Sequence, residues 1–324
     1  MKTRIILAAT LLSSLGCAVS VTAEENAASQ YIEAFKAFSS NQEPSDPLEF
    51  SPLLPVVGEA SMPPPGTPLP HDQLDVVGKY VALNGKCLSL LHQAAAAKEC
   101  RWPADYRDPS SMPALRLRAE ARQGARLLHL EAIYRAEMGD YDLAGQSVRA
   151  GLALGRSLSA LKETLAELTR MACDELALAG LERALNLGPI SDSELAELGR
   201  TIGDADASAG VSRNSLPEVA AGPVLGRWHS RLRVAQAAIA VERFRAANGK
   251  LPADLTELVP RFLAVVPVDP FDRQSLRYRR TEMGYTVYSV GPDLIDQGGV
   301  QTTGGDTDLP FTVERKETVK DAQN

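Results

Sequence analysis

The stretch from Val241 to Val313, VERFRAANGKLPADLTELVPRFLAVVPVDPFDRQSLRYRRTEMGYTVYSVGPDLIDQGGVQTTGGDTDLPFTV, carries an ordered set of signals that decides the architecture of the C-terminal part of the chain. A helix ends at Asn248-Gly249, Pro252 follows, and Asp254 opens a second, short helix. Pro267 and Pro270 mark an extended crossing. Two alternating runs come next, Leu276 to Arg280 and Tyr285 to Val290, with a turn at Met283-Gly284, and this pattern predicts an antiparallel hairpin. Asp308 to Val313 returns as a third strand.

The loop between the second and third strands is chemically distinct. From Thr281 to Glu314 there is no Lys or Arg, while Glu282, Asp293, Asp296, Asp306, Asp308 and Glu314 are all present. Crowded carboxylates repel one another unless they spread into water or meet a cation. Ca²⁺ suits them because it accepts six to eight oxygens in irregular geometry. Gly291, Gly298, Gly299, Gly304 and Gly305 allow the backbone to curl its carbonyls inward. Composition alone favours a solvated acidic loop, and the spacing does not match the twelve-residue helix-loop-helix calcium loop.

Asn248-Gly249-x-x-Pro252, Asp269-Pro270-Phe271, Tyr278, Tyr285-x-x-Tyr288-Ser289-x-Gly291-x-Asp293 and Asp306-x-Asp308 together resemble the C-terminal globular region of type II secretion major pseudopilins. That resemblance implies a long helix packed on a small antiparallel sheet, followed by a loop that binds calcium. By position it implies Asp293, Asp306 and Asp308 as the calcium-ligating acids and turns the reading of the loop towards Ca²⁺ as a structural ion. Asp296 has no clear counterpart, and the loop from Asp293 to Asp306 is a few residues longer than in the pseudopilins.

The N-terminus reads as an export signal over residues 1–23. Lys2 and Arg4 precede the apolar run Ile5 to Leu15, and Val21-Thr22-Ala23 supplies small residues before Glu24. Lipidation at Cys17 and an uncleaved anchor are the alternatives. Removing the leader takes away two positive charges, so the net charge of -7 becomes -9. Such a surface, without a basic stripe, is a poor partner for nucleic acid. The leader also lacks the processing site and long apolar helix with which pseudopilins begin, so a polymerising pilin subunit is not expected.

The rest of the chain reads as helix. Residues 24–70 hold a short amphipathic helix with Tyr31, Ile32, Phe35 and Phe38 on one side. Nine prolines then fall between Glu43 and Pro70, predicting a stiff linker or a strap along the body. Residues 71–204 predict a helical domain, with one helix from Val76 to Lys98 and another opened by Pro113. Met138-Gly139-Asp140-Tyr141-Asp142-Leu143-Ala144 resembles the turn of a tetratricopeptide hairpin, though no second copy follows at that period. Ser191-x-x-Glu194 predicts a capping box. The polar residues 205–222 form a hinge, 223–313 the pseudopilin-like module with its stem helix from Pro223 to Ala247, and 314–324 a charged tail. The stem carries Val224, Trp228, Leu232, Ala235, Ile239 and Phe244 on one face. The expected fold is mainly α: an α-hairpin bundle joined to a C-terminal α+β unit with three antiparallel strands.

Cys87 and Cys100 invite a disulfide, but a continuous helix would hold them roughly 20 Å apart; both buried thiols and a bridge after a chain reversal remain open. The histidines stand singly, without zinc spacing. No nucleophile elbow, metalloprotease helix or phosphate loop appears. The resulting expectation is a non-enzymatic, exported protein, periplasmic or envelope-associated. Its helical body meets a protein partner, and it touches a membrane only through its N-terminal segment. The alternatives are a minor component of a type II secretion or pilus-like machine and an envelope enzyme without a recognisable motif.

Overall fold

A computed structural model of the chain describes residues 26–38, 53–97, 99–161, 163–208, 218–300 and 307–315. The expected leader with Cys17, the first prolines of the 24–70 segment, the middle half of the hinge, Asp306 and the tail beyond Arg315 lie outside the described residues. The described chain is mainly helical, with a small three-stranded antiparallel sheet at the C-terminal end.

The N-terminal helix α1 (Ala27–Lys36) is capped by Asn26, whose side chain accepts from Ala28 N. The same amide ties α1 to residue 101, giving Nδ2–H to Arg101 O and accepting from Arg101 N, both at 2.8 Å. Tyr31 stacks on Trp102, whose Nε1–H donates to Ser157 O at 2.9 Å. The helix expected from Val76 to Lys98 is instead two, α2 (His71–Leu83) and α3 (Gly85–Ala96). The break falls at Asn84, which is buried and donates its amide to Tyr80 O, and at Gly85, a poor helix former. The chain then turns back after Ala96. Cys87 and Cys173 are buried and Cys100 is partly buried, all three as free thiols. Burial pushes the Cys87 and Cys100 thiols up to about 12.

The body is built from three long helices, α4 (Met112–Glu137), α5 (Tyr141–Ser157) and α6 (Thr164–Leu187), which pack on one another. Ser111 caps α4 from its side chain, with Pro113 in the first turn as expected. The α4–α5 turn uses Gly139 at φ +84°, a conformation that suits glycine. Tyr141 then reaches across to donate its hydroxyl to Leu187 O, and Ala144 is fully buried where the helices approach.

Helix α7 (Asp192–Ala207) is capped by Ser191, which accepts from Glu194 N. The reciprocal half of the predicted capping box does not form. Asp142 Oδ1 takes Ser191 N at 2.7 Å, and Glu194 instead forms a two-point contact with Arg149, because α5 brings a guanidinium within reach.

The expected stem is α8 (Glu218–Asn248), with Pro223 inside it. The anticipated single apolar face is too narrow, and Val224 is exposed. Val234, Ala237, Ala238, Ala240 and Val241 are buried as well, because α8 lies between α7 and α6 on one side and the sheet on the other. The second helix after Asn248 is a single 3₁₀ turn, Leu255–Leu258, capped by Asp254. Strands β1 (Arg277–Arg280), β2 (Gly284–Ser289) and β3 (Leu309–Glu314) form the sheet in the order β1-β2-β3. Tyr278 pairs with Val287 and Val287 with Phe311, and the Tyr285 hydroxyl donates to Ala238 O in α8.

Two hydrophobic clusters meet in the α4–α6 body. One gathers α1, α2, α3 and one end of the body; the other runs from the body through α7 and α8 to the sheet. The prolines form a strap on the surface of the body. Arg183, 2% exposed, donates to the carbonyls of Pro63, Pro64 and Thr67 and pairs with Glu137, whose side chain is shielded and accepts from Leu69 N. Among the described residues no helix is long and apolar enough to cross a membrane.

Candidate functional site

The acidic loop is anchored by a residue outside it. Asp269 is fully buried and accepts four hydrogen bonds: Oδ1 from Ser289 Oγ at 2.8 Å and Phe271 N at 3.0 Å, Oδ2 from Val290 N at 2.9 Å and Arg277 Nη1 at 3.0 Å. One carboxylate thus holds the 269–271 crossing, the end of β2 and the start of β1. Ser230 of α8 joins by donating to Ser289 Oγ. The chain then leaves the sheet through Gly291 at φ +70°. A side chain there would collide with Thr307 O, so the two ends of the loop touch.

Inside the loop, acids and amides are interlocked. Asp293 accepts from Ile295 N at 3.1 Å and from Gln297 Nε2 at 2.7 Å. The other end of that amide, Gln297 Oε1, accepts from Asp308 N at 3.0 Å. Asp308 Oδ2 accepts from Gln297 N at 3.0 Å and Gly299 N at 2.6 Å. Gln297 therefore bridges Asp293 and Asp308, two of the three acids singled out in the sequence. Asp306, the third, lies outside the described residues. Asp296 turns instead to Tyr288, accepting its hydroxyl at 3.1 Å, and to Gly298 N.

Asp308 is fully buried, and its Oδ1 has no hydrogen-bond partner among the described residues. Burial raises its carboxyl above the ordinary range, the amide of Gly299 opposes this, and the nearby Asp296 and Asp293 add to the rise. A buried acceptor without a donor costs about 1–3 kcal/mol, more when it is charged. A cation beside Oδ1 would remove that cost. Among the described residues no three acid, His or Cys side chains are grouped so as to hold a metal. Asp293 and Asp308 therefore fit a calcium site only together with loop oxygens or with Asp306. Gln297 had no signal in the sequence, while Asp269 stood in a quoted motif without a role.

Other titratable groups are committed elsewhere. His92 Nε2 lies 2.7 Å from Glu131 Oε2, and the buried Ser147 hydroxyl donates to that same oxygen at 2.9 Å, so the hydroxyl faces the acid and not the imidazole. Burial lowers His129 to about 4, leaving it a neutral packed ring. On β1, Arg277 is matched by Asp269 and Asp272, and Arg280 holds Pro252 O and Leu251 O. Only part of the basic run thus remains uncompensated.

A cleft of about 810 Å³ lies between the strap, α6, α8 and β3. Its walls complete the sheet edge. The groups of β3 that face away from β2 are taken by side chains: Arg231 donates to Pro310 O, Glu182 accepts Thr312 N, and Asn186 donates to Thr312 O and accepts Glu314 N. Asn186 makes the pair of bonds that a neighbouring strand would make. Comparison with protein families, curated proteins and solved structures finds no match to this chain.

Proposed function

We propose that this chain is an exported, non-enzymatic envelope protein in which a helical body offers a surface to a protein partner and a pseudopilin-like C-terminal module is held by calcium. The observation that carries the calcium reading is the buried Asp308 Oδ1, without a donor among the described residues, in a loop where Gln297 ties Asp308 to Asp293. The long helix laid on a three-stranded antiparallel sheet, with an acidic loop between the last two strands, supports the pseudopilin-like reading. Asp293, Asp306 and Asp308 would hold the ion, which neutralises the loop and closes it on the sheet; its role is structural.

Ca²⁺ that binds the folded chain alone stabilises it by mass action, by about 2.7 kcal/mol at one hundred times Kd. Tm is therefore expected to rise in millimolar calcium over EGTA by several degrees, and the double variant Asp293→Ala/Asp306→Ala to lose that rise. Equal melts of the wild type in calcium and chelator refute the calcium reading. Asp308→Ala is the weaker probe, because Asp308 also receives two backbone amides.

A further inference from the structure

Between α6, α7 and α8 lies a buried group of charges that the loop does not involve. Arg170, fully buried, places its guanidinium 4.6 Å over the ring of Trp228. It donates to Glu167 Oε1 at 3.1 Å, Ala205 O at 3.0 Å and Ser208 Oγ at 2.6 Å. Asp174, 1% exposed, accepts the Nε1–H of Trp228 on Oδ2 at 3.1 Å. That oxygen stands 3.9 Å from Arg170 Nε, beyond hydrogen-bond reach. Among the described residues Arg170 Nε and Asp174 Oδ1 both lack a hydrogen-bond partner. The Nη groups of Arg170 thus go to Glu167 and to the end of α7, and not to Asp174.

Among the described residues the surroundings offer Asp174 no second cation. On α6 itself the next residue, Glu175, is another acid and pairs with Arg231, while Cys173 is a buried thiol. From α5 comes only the bare backbone of Gly155; a Cβ there would lie 2.7 Å from Asp174 Oδ1 and 3.3 Å from Arg170 O. A carbonyl acceptor therefore flanks the same face as the unpartnered oxygen. On α8, His229 tilts against Trp228 at 5.1 Å between ring centres, but together with Arg233 it is bonded to Asp206 of α7.

We propose that Asp174 is carried as the neutral acid in the folded protein and that its ionisation loosens the seat of α8 on α6, making this junction a pH-sensitive lock between the helical body and the sheet. A proton on Oδ1 turns that acceptor into a donor and leaves Arg170 in its contact with Glu167. Losing it buries a second negative charge without a matching donor. Burial pushes the Asp174 carboxyl up to about 7, against the opposing pull of Arg170 and the Trp228 N–H. An unfolded Asp releases its proton near about 3.9. Between these two values the folded chain binds more protons than the unfolded one, so stability falls as pH rises. The unfolding constant grows by up to roughly tenfold per pH unit and levels off above neutrality. This lock is independent of the calcium reading.

Asp174→Asn in the full chain is the test, since Asn keeps an oxygen for Trp228 and places an NH₂ where the proton would sit. Wild type is expected to lose stability relative to Asp174→Asn by tenfold or more in the unfolding constant between pH 5 and pH 7.5, by urea melts. Trp228 gives a local readout once the other tryptophan is removed by Trp102→Phe. Its emission is expected to titrate near neutrality, to go on titrating in His229→Gln, and to be flat in Asp174→Asn. Parallel pH slopes for wild type and Asp174→Asn overturn the proposal. So does a Trp228 titration that vanishes in His229→Gln, an outcome that decides the matter even if Asp174→Asn does not fold.

Discussion

Arg183→Met is expected to lower the stability of the whole protein by about 3–5 kcal/mol, the range for breaking a buried ion pair from one side. The methionine keeps the apolar stem but removes the guanidinium N–H groups that hold the strap. Glu137 is then left buried with only the Leu69 amide, and the carbonyls of Pro63, Pro64 and Thr67 lose their common donor. Against a total of about 5–15 kcal/mol such a loss is large. It should appear as a lower urea midpoint and as early hydrogen exchange at Leu69. Arg183→Met/Glu137→Gln should recover part of the loss, because no uncompensated charge remains. An unchanged midpoint for the single variant would mean that the strap is not held by this pair.

The second large effect is expected at Asp269. Asp269→Asn preserves the shape but turns one acceptor end into a donor that faces two donors, either Ser289 Oγ and Phe271 N or Val290 N and Arg277. With each mismatched buried group worth about 1–3 kcal/mol, a loss of about 3 kcal/mol is expected by thermal or urea melts. Because Val290 leads directly into the loop, the same variant is expected to blunt the calcium-dependent rise in Tm. A variant as stable as wild type would remove Asp269 from the centre of the module.

Much of the C-terminal architecture was legible because strand patterning is local. Leu309, Phe311 and Val313 alternate inward as expected of a third strand, and Tyr285 and Val287 join the core from β2, a strand buried along its whole length. The helix start marked by Pro113 and the Ser191 cap were readable for the same reason. The face of α8 was misjudged because its extra buried positions are mostly alanines, which signal burial weakly until the second packing surface is known. Asn84 broke a helix that periodicity alone continued. The remaining misses depend on distant partners. Nine prolines announce an extended segment, but nothing near them names Arg183 as its anchor, and no local signal marks Gln297 as the link between two aspartates.

The side-chain ladder along β3 bears on how the chain divides. Glu182 and Asn186 belong to α6, so a fragment beginning at Glu218 would leave the amides of Thr312 and Glu314 bare. A bare rim of that kind is a template for growth by a neighbouring sheet. Produced alone, such a fragment is expected to aggregate where the complete chain stays monodisperse in light scattering. The edge of the terminal sheet is covered by residues encoded well upstream of it.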